Sequence, residues 1–80
     1  MNDSVYQVFD TKIAVTTRSG TKYIELPVDP SDTSYYVRFY DAYYINGKLY
    51  AVVIVRDPYD VRFEIDEDRF ELIGPPIPTY

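Results

Sequence analysis

Seven carboxylates crowd into one fifteen-residue stretch of this 80-residue chain: Asp57, Asp60, Glu64, Asp66, Glu67, Asp68 and Glu71, against Arg62 and Arg69. Carboxylates in close pairs can pass protons to a substrate or hold a divalent cation. Neither chemistry suits this pattern. Asp66, Glu67 and Asp68 are adjacent on what reads as an exposed turn, and no long loop is at hand to shut water out around them. The spacing of a twelve-residue calcium loop is absent. The chain has no histidine and no cysteine, which removes the usual zinc sets, disulfides and histidine-assisted nucleophiles. Gly20, Gly47 and Gly74 stand alone, so no glycine-rich phosphate cradle is present. We therefore expect no enzyme activity, no metal and no cofactor.

The carboxylates carry a different message as a block. Net charge is −5, yet residues 1–56 hold six acids and six bases. The whole excess sits in residues 57–71. That imbalance argues against binding a nucleic-acid backbone and suits a basic protein partner. The tyrosines point the same way. YYVRFYDAYY, residues 35–44, holds six aromatics, and the chain has ten tyrosines, four phenylalanines and no tryptophan. Tyrosine presents a large apolar body with a polar tip, and it is enriched at interface cores.

These side chains must be positioned by a core held through packing alone. Val5–Phe9 reads as a strand. Lys12–Thr17 and Lys22–Leu26 read as a hairpin around a turn containing Gly20. Pro27 and Pro30 bound a loop. The rings of residues 35–44 recur every four positions, which would suit a helix, but Tyr, Phe and Val are strand formers. Asn46-Gly47 then follows, the strongest short hairpin signal. A two-residue turn there sets Ile45 against Lys48, Tyr44 against Leu49, Tyr43 against Tyr50, Ala42 against Ala51, Tyr40 against Val53 and Phe39 against Ile54. One face then carries Val37, Phe39, Tyr43, Tyr50, Val52 and Ile54. The other carries Tyr36, Arg38, Tyr40, Ala42, Tyr44, Leu49, Ala51, Val53 and Val55. Both are apolar, and we expect the first to be core and Tyr36, Tyr40, Tyr44 and Tyr59 to lie outside. Val61, Phe63 and Ile65 alternate inward with Arg62, Glu64 and Asp66 outward. Residues 66–69 read as a single helical turn capped by Asp66. Phe70–Ile73 reads as a closing strand, and 74–80 as a proline-rich tail after one domain spanning 1–73.

The run INGK at a hairpin tip, YDVRFEI in an alternating strand, DEDR at a single turn and FELI in a closing strand resembles the SH3-like small barrels over roughly residues 35–73. The resemblance implies an all-β barrel of five to six short antiparallel strands with one helical turn near 66–69. Peptide-binding SH3 domains read proline ligands with an ALYDY-like segment and a tryptophan, neither of which occurs here. The basic surface of nucleic-acid-binding relatives is also missing. The resemblance thus implies a scaffold, and function rests on the surface.

No apolar run approaches the roughly 18 residues of a membrane span, and the first ten residues lack the blocks of a signal peptide, so a cytoplasmic location is expected. The functional expectation is a non-catalytic protein-binding module. Its sharper form is an inhibitor of the type phages and mobile elements encode, imitating nucleic-acid charge. It would dock Asp57, Asp60, Glu64, Asp66, Glu67, Asp68 and Glu71 with Tyr36, Tyr40, Tyr44 and Tyr59 on a basic nucleic-acid-binding protein. The alternative is an assembly module that buries its aromatic hairpin face against a copy of itself or a larger complex.

Overall fold

β-Branched and aromatic runs separated by short polar turns become seven antiparallel strands in the computed structural model, which describes residues 4–56 and 59–79. The strands are β1 (Val5–Val8), β2 (Lys12–Thr17), β3 (Gly20–Glu25), β4 (Tyr36–Ile45), β5 (Lys48–Val55), β6 (Asp60–Asp66) and β7 (Glu71–Pro78). They form two sheets, β1-β2-β3 and β4-β5-β6-β7. The all-β expectation holds. The expected small barrel of five to six strands does not: the described residues form seven strands, divided between two sheets. A hydrogen bond from Phe39 N to Asp10 O, 2.8 Å, ties the β1–β2 turn to β4.

The helical turn near residues 66–69 is also corrected, because no helix occurs among the described residues. Asp66 does act on the following backbone, its Oδ1 accepting from Asp68 N at 2.9 Å and Arg69 N at 3.1 Å. Phe70 then adopts φ +56°, a left-handed conformation that ends any right-handed coil. The chain reverses directly into β7. Asn46 and Gly47, at φ +50° and +81°, make the tight β4–β5 turn that Asn-Gly favours.

The core lies between the sheets. Ile13, Val15 and Ile24 come from the three-stranded sheet; Phe39, Leu49, Ala51, Val53, Val55, Val61, Phe63 and Ile65 come from the other. The β6 alternation is as expected, with Val61, Phe63 and Ile65 buried. The hairpin faces are not. Near the turn the register matches expectation, from Ile45↔Lys48 to Ala42↔Ala51, but Asp41 then faces Val52 and Phe39 faces Val53. Tyr40 is one residue too many for the ladder, a β-bulge that shifts the phase of everything before it. Val37 is a second extra residue, between Arg38↔Ile54 and Tyr36↔Val55.

Two corrections follow. Leu49, Ala51, Val53 and Val55 face the core, whereas Tyr43, Tyr50 and Ile54 lie on the opposite face of the sheet. Tyr36, expected outside, packs on the core with its ring edge-on to Phe63 at 5.7 Å. Phe39 reaches the interior only because of the bulge.

β7 continues through the proline-rich segment, pairing Ile77 with Arg62 and Pro78 with Val61. Proline lacks an N–H, and it is tolerated here because β7 is an edge strand whose ladder is irregular between Ile73 and Ile77.

The bulged register makes a direct prediction for urea unfolding. Phe39→Ala removes a side chain only 1% exposed and is expected to cost about 3–5 kcal/mol. Val37→Ala, at a bulge position 48% exposed, is expected to cost less than about 1 kcal/mol. Equal losses at the two positions would contradict the bulge.

Candidate interaction surface

Because β6 alternates, its polar side chains project from the sheet face away from the core. The ladder there aligns Tyr43 and Tyr50 with Glu64 and Ile73, then Asp41 and Val52 with Arg62 and Ile77, then Arg38 and Ile54 with Asp60. Among the described residues no strand or helix forms a third layer over this face. It presents an aliphatic and aromatic centre with charged neighbours. Ile73 and Ile77 are each 42% exposed, while Val52 is nearly covered. The Arg62 guanidinium sits 5.3 Å from the centre of the Tyr50 ring, an attraction between a cation and the ring's electron-rich face. Its Nε is buried without a hydrogen-bond partner. Lys48 Nζ reaches Glu64 at 4.0 Å, with both groups accessible to water, so this ion pair contributes little stability.

The acidic residues singled out by sequence divide between surface and scaffold. Asp60, Glu64 and Glu71 lie on the outer face or its margin, and Asp68 is exposed on the β6–β7 turn. Asp66 is occupied in shaping that turn. Glu67 points elsewhere: its Oε2 accepts from Tyr6 Oη at 3.1 Å and from Tyr44 Oη at 2.9 Å. It thereby links β1, the β4–β5 hairpin and the β6–β7 turn across both sheets. Asp57 lies outside the described residues.

Three of the four tyrosines named as a docking set, Tyr40, Tyr44 and Tyr59, are exposed, and they stand on different elements. Tyr36 belongs to the core margin. Tyr40 lies at the bulge with the Arg38 guanidinium 5.8 Å from its ring centre. Tyr44, exposed on the core side of its strand, is bonded to Glu67. Tyr59 is exposed just before β6, where its carbonyl accepts from Val55 N at 2.9 Å. Sequence reasoning missed the group that does cluster: Tyr43, Tyr50, Val52, Ile54, Ile73 and Ile77 around Arg62. The alternation in β6 was the available signal, since a strand that buries Val61, Phe63 and Ile65 sends Arg62 and Glu64 to the face this group occupies.

Two further acids serve the β3–β4 loop. Asp29 Oδ1 accepts from Ser31 N and Oγ at 2.8 and 2.7 Å, and Asp32 Oδ1 accepts from Ser34 N and Oγ at 3.1 and 2.9 Å. Asp32 also pairs with Arg56. The Ser31 and Ser34 hydrogen bonds hold the respective carboxyls below the usual carboxylate range. The described residues contain no group of three or more side chains placed to hold a metal ion, and no helix long and apolar enough to cross a membrane.

No protein-family model matches the chain, and searches of curated proteins and of solved structures return no match.

The Glu67 contact gives stability a testable alkaline limit. Burial, reinforced by the Glu67 carboxylate, raises the Tyr6 phenol above its ordinary value. A raised phenol favours the folded state while protonated. Its contribution is complete below the unfolded value of about 10 and falls as pH rises further. Thermal melts of the wild type are therefore expected to drop from about pH 10 upward. Tyr6→Phe is expected to be less stable at neutral pH, by about 1–3 kcal/mol for a hydrogen bond to a charged acceptor, with a shallower alkaline decline. Parallel declines in the two proteins would remove Tyr6 from the account.

Proposed function

We propose that this chain is a protein-binding module without catalysis of its own, and that it docks the outer face of the β4–β7 sheet on a basic protein. The observation that carries the reading is that face itself. An uncovered sheet surface combines two tyrosines, the aliphatic side chains of Ile54, Ile73 and Ile77, and the carboxylates of Asp60, Glu64 and Glu71. Apolar side chains at the centre supply contact area, and charges at the margin set orientation and encounter rate. Asp60, Glu64, Asp68 and Glu71 are the carboxylates placed to meet lysine or arginine on the partner. Glu67 and Asp66 are committed to the fold and contribute mainly through the field. A partner whose own ligand is a nucleic acid would offer the required basic surface. In that case the module acts as an inhibitor by charge imitation, the role phages and mobile elements give to small acidic proteins.

The test is capture of the partner by the immobilised chain, followed by affinity measurements on the purified pair. Binding is expected to weaken severalfold between about 0.1 and 1 M salt, as the screening length falls from about 10 to about 3 Å. Tyr50→Ala is expected to cost about 2 kcal/mol or more, as for a central aromatic anchor. Asp68→Asn with Glu71→Gln is expected to slow association more than it speeds dissociation. An affinity indifferent to both salt and Tyr50 would end the proposal.

A further inference from the structure

A two-sheet fold has four edge strands, and each must be accounted for, because an open edge presents unpaired N–H and C=O groups to any strand that approaches. β1 is only four residues long and lies against β4, with the β1–β2 turn tied to β4 by the hydrogen bond from Phe39 N to Asp10 O, and β4 carries two bulges. β7 contains Pro75, Pro76 and Pro78, which cannot donate. β3 has none of these protections. It runs six residues, Gly20–Glu25, in unbroken register with β2.

The phase of that ladder identifies which backbone groups are open. Leu26 N donates to Thr11 O at 3.0 Å, and bonded and non-bonded pairs alternate along an antiparallel ladder. The bonded pairs are therefore Ile13↔Ile24, Val15↔Lys22 and Thr17↔Gly20. Thr21, Tyr23 and Glu25 direct their N–H and C=O away from β2, and all three residues are exposed. Among the described residues no backbone group bonds to them from the open side.

We infer that two copies of this chain join edge to edge through β3, antiparallel about a two-fold axis at Tyr23, making one continuous six-stranded sheet from two β1–β3 sheets. In that register Tyr23 faces the partner's Tyr23, and Thr21 faces the partner's Glu25. The three outward residues of each copy then form ~six backbone hydrogen bonds across the joint. Sliding the register by two residues toward Pro27 would bring a residue without an N–H into the ladder and shorten it. A second copy is the fitting occupant because its β3 supplies the same unblocked row of donors and acceptors. Charge does not oppose the pairing. Residues 5–26 hold Asp10 and Glu25 against Lys12, Arg18 and Lys22, and the acidic excess lies in the other sheet. Lys22, the charge on the core side of β3, is engaged within its own chain, with Nζ 5.5 Å from the centre of the Phe70 ring.

Sedimentation equilibrium from about 10 µM to about 1 mM, the range of weak association, tests the joint. A monomer–dimer equilibrium is expected. Each two-fold dimer contains the Thr21–Glu25 contact twice, so Thr21→Lys should tighten it and Thr21→Glu weaken it, each roughly 2- to 30-fold. Tyr23→Pro removes an outward N–H without breaking the β2 ladder and should abolish dimerisation. Should that variant fail to fold, the two exposed Thr21 substitutions still decide. Exchange of the Tyr23 amide should slow as concentration rises. A chain monomeric at about 1 mM, or a dimer indifferent to both Thr21 substitutions, overturns the inference. An extended-peptide ligand that alone protects the Tyr23 amide would overturn it as well. The joint rests on backbone pairing and is expected to persist in high salt, where docking on a basic protein weakens, so the two readings fail separately.

Discussion

The bulge at Tyr40 is the constraint on which the rest of the structure depends. The β4–β5 hairpin is apolar on both faces, so hydrophobicity alone does not choose which side turns inward. The inner side of β5 is small and branched, Leu49, Ala51, Val53 and Val55, and it shares one core with Ile13, Val15 and Ile24. Phe39 is the side chain of β4 that is fully buried in that interior. Without the extra residue Phe39 would project to the opposite face, opposite Ile54. With it, Phe39 lies over Val53 and is almost wholly buried. One unpaired residue in the ladder thus fills the core and keeps the larger rings, Tyr43 and Tyr50, outside.

The same event explains why the outer face looks as it does. Tyr43, Tyr50, Val52 and Ile54 are displaced from the core as a set. The β6 alternation then places Arg62 and Glu64 beside them. Arg62 covers part of this apolar surface with its stem and caps Tyr50 with its guanidinium, which lowers the cost of exposing it. The acidic segment is likewise divided by geometry. Carboxylates on the β6 face remain available to a partner, whereas Glu67, two residues past the last inward side chain of β6, turns back over the core margin to accept from two phenols. A run that is uniform in charge is therefore mixed in role.

Local chemistry made much of this legible in advance. The Asn-Gly turn, the Gly20 hairpin and the Val61, Phe63, Ile65 alternation each depend on neighbours in sequence, and each appears as expected. The bulge shows only in the pairing of β4 with β5 and in which face meets the other sheet, long-range relations that no local pattern records. Its omission inverted the hairpin faces and misplaced Tyr36. The single turn after β6 was located correctly by Asp66 and given the wrong form, because Phe70 adopts a conformation that bulky residues rarely take. The proline-rich stretch 74–80 reads as a tail beyond the domain, yet residues 74–78 join the sheet as part of β7. They do so because an edge strand can present its missing donors to solvent.

Edges and charge together divide the molecule's surface into two regions of different physics. The β4–β7 sheet carries the acidic excess and the displaced aromatics, so contacts there combine desolvation with a field that salt can screen. The β1–β3 sheet is nearly balanced in charge, and its exposed edge offers backbone groups whose pairing is short-ranged and indifferent to ionic strength. Each sheet's protected edge is protected for a reason belonging to the other: β1 and β4 meet because the sheets must touch to bury Phe39 and Tyr6. β7 tolerates its prolines because no strand pairs with it on the side away from β6. β3 is the longer edge of its sheet and keeps regular geometry and open donors. A small chain that spends its core on one interface between sheets has little left to cover both a face and an edge, and in this fold those two exposed features fall on opposite sheets.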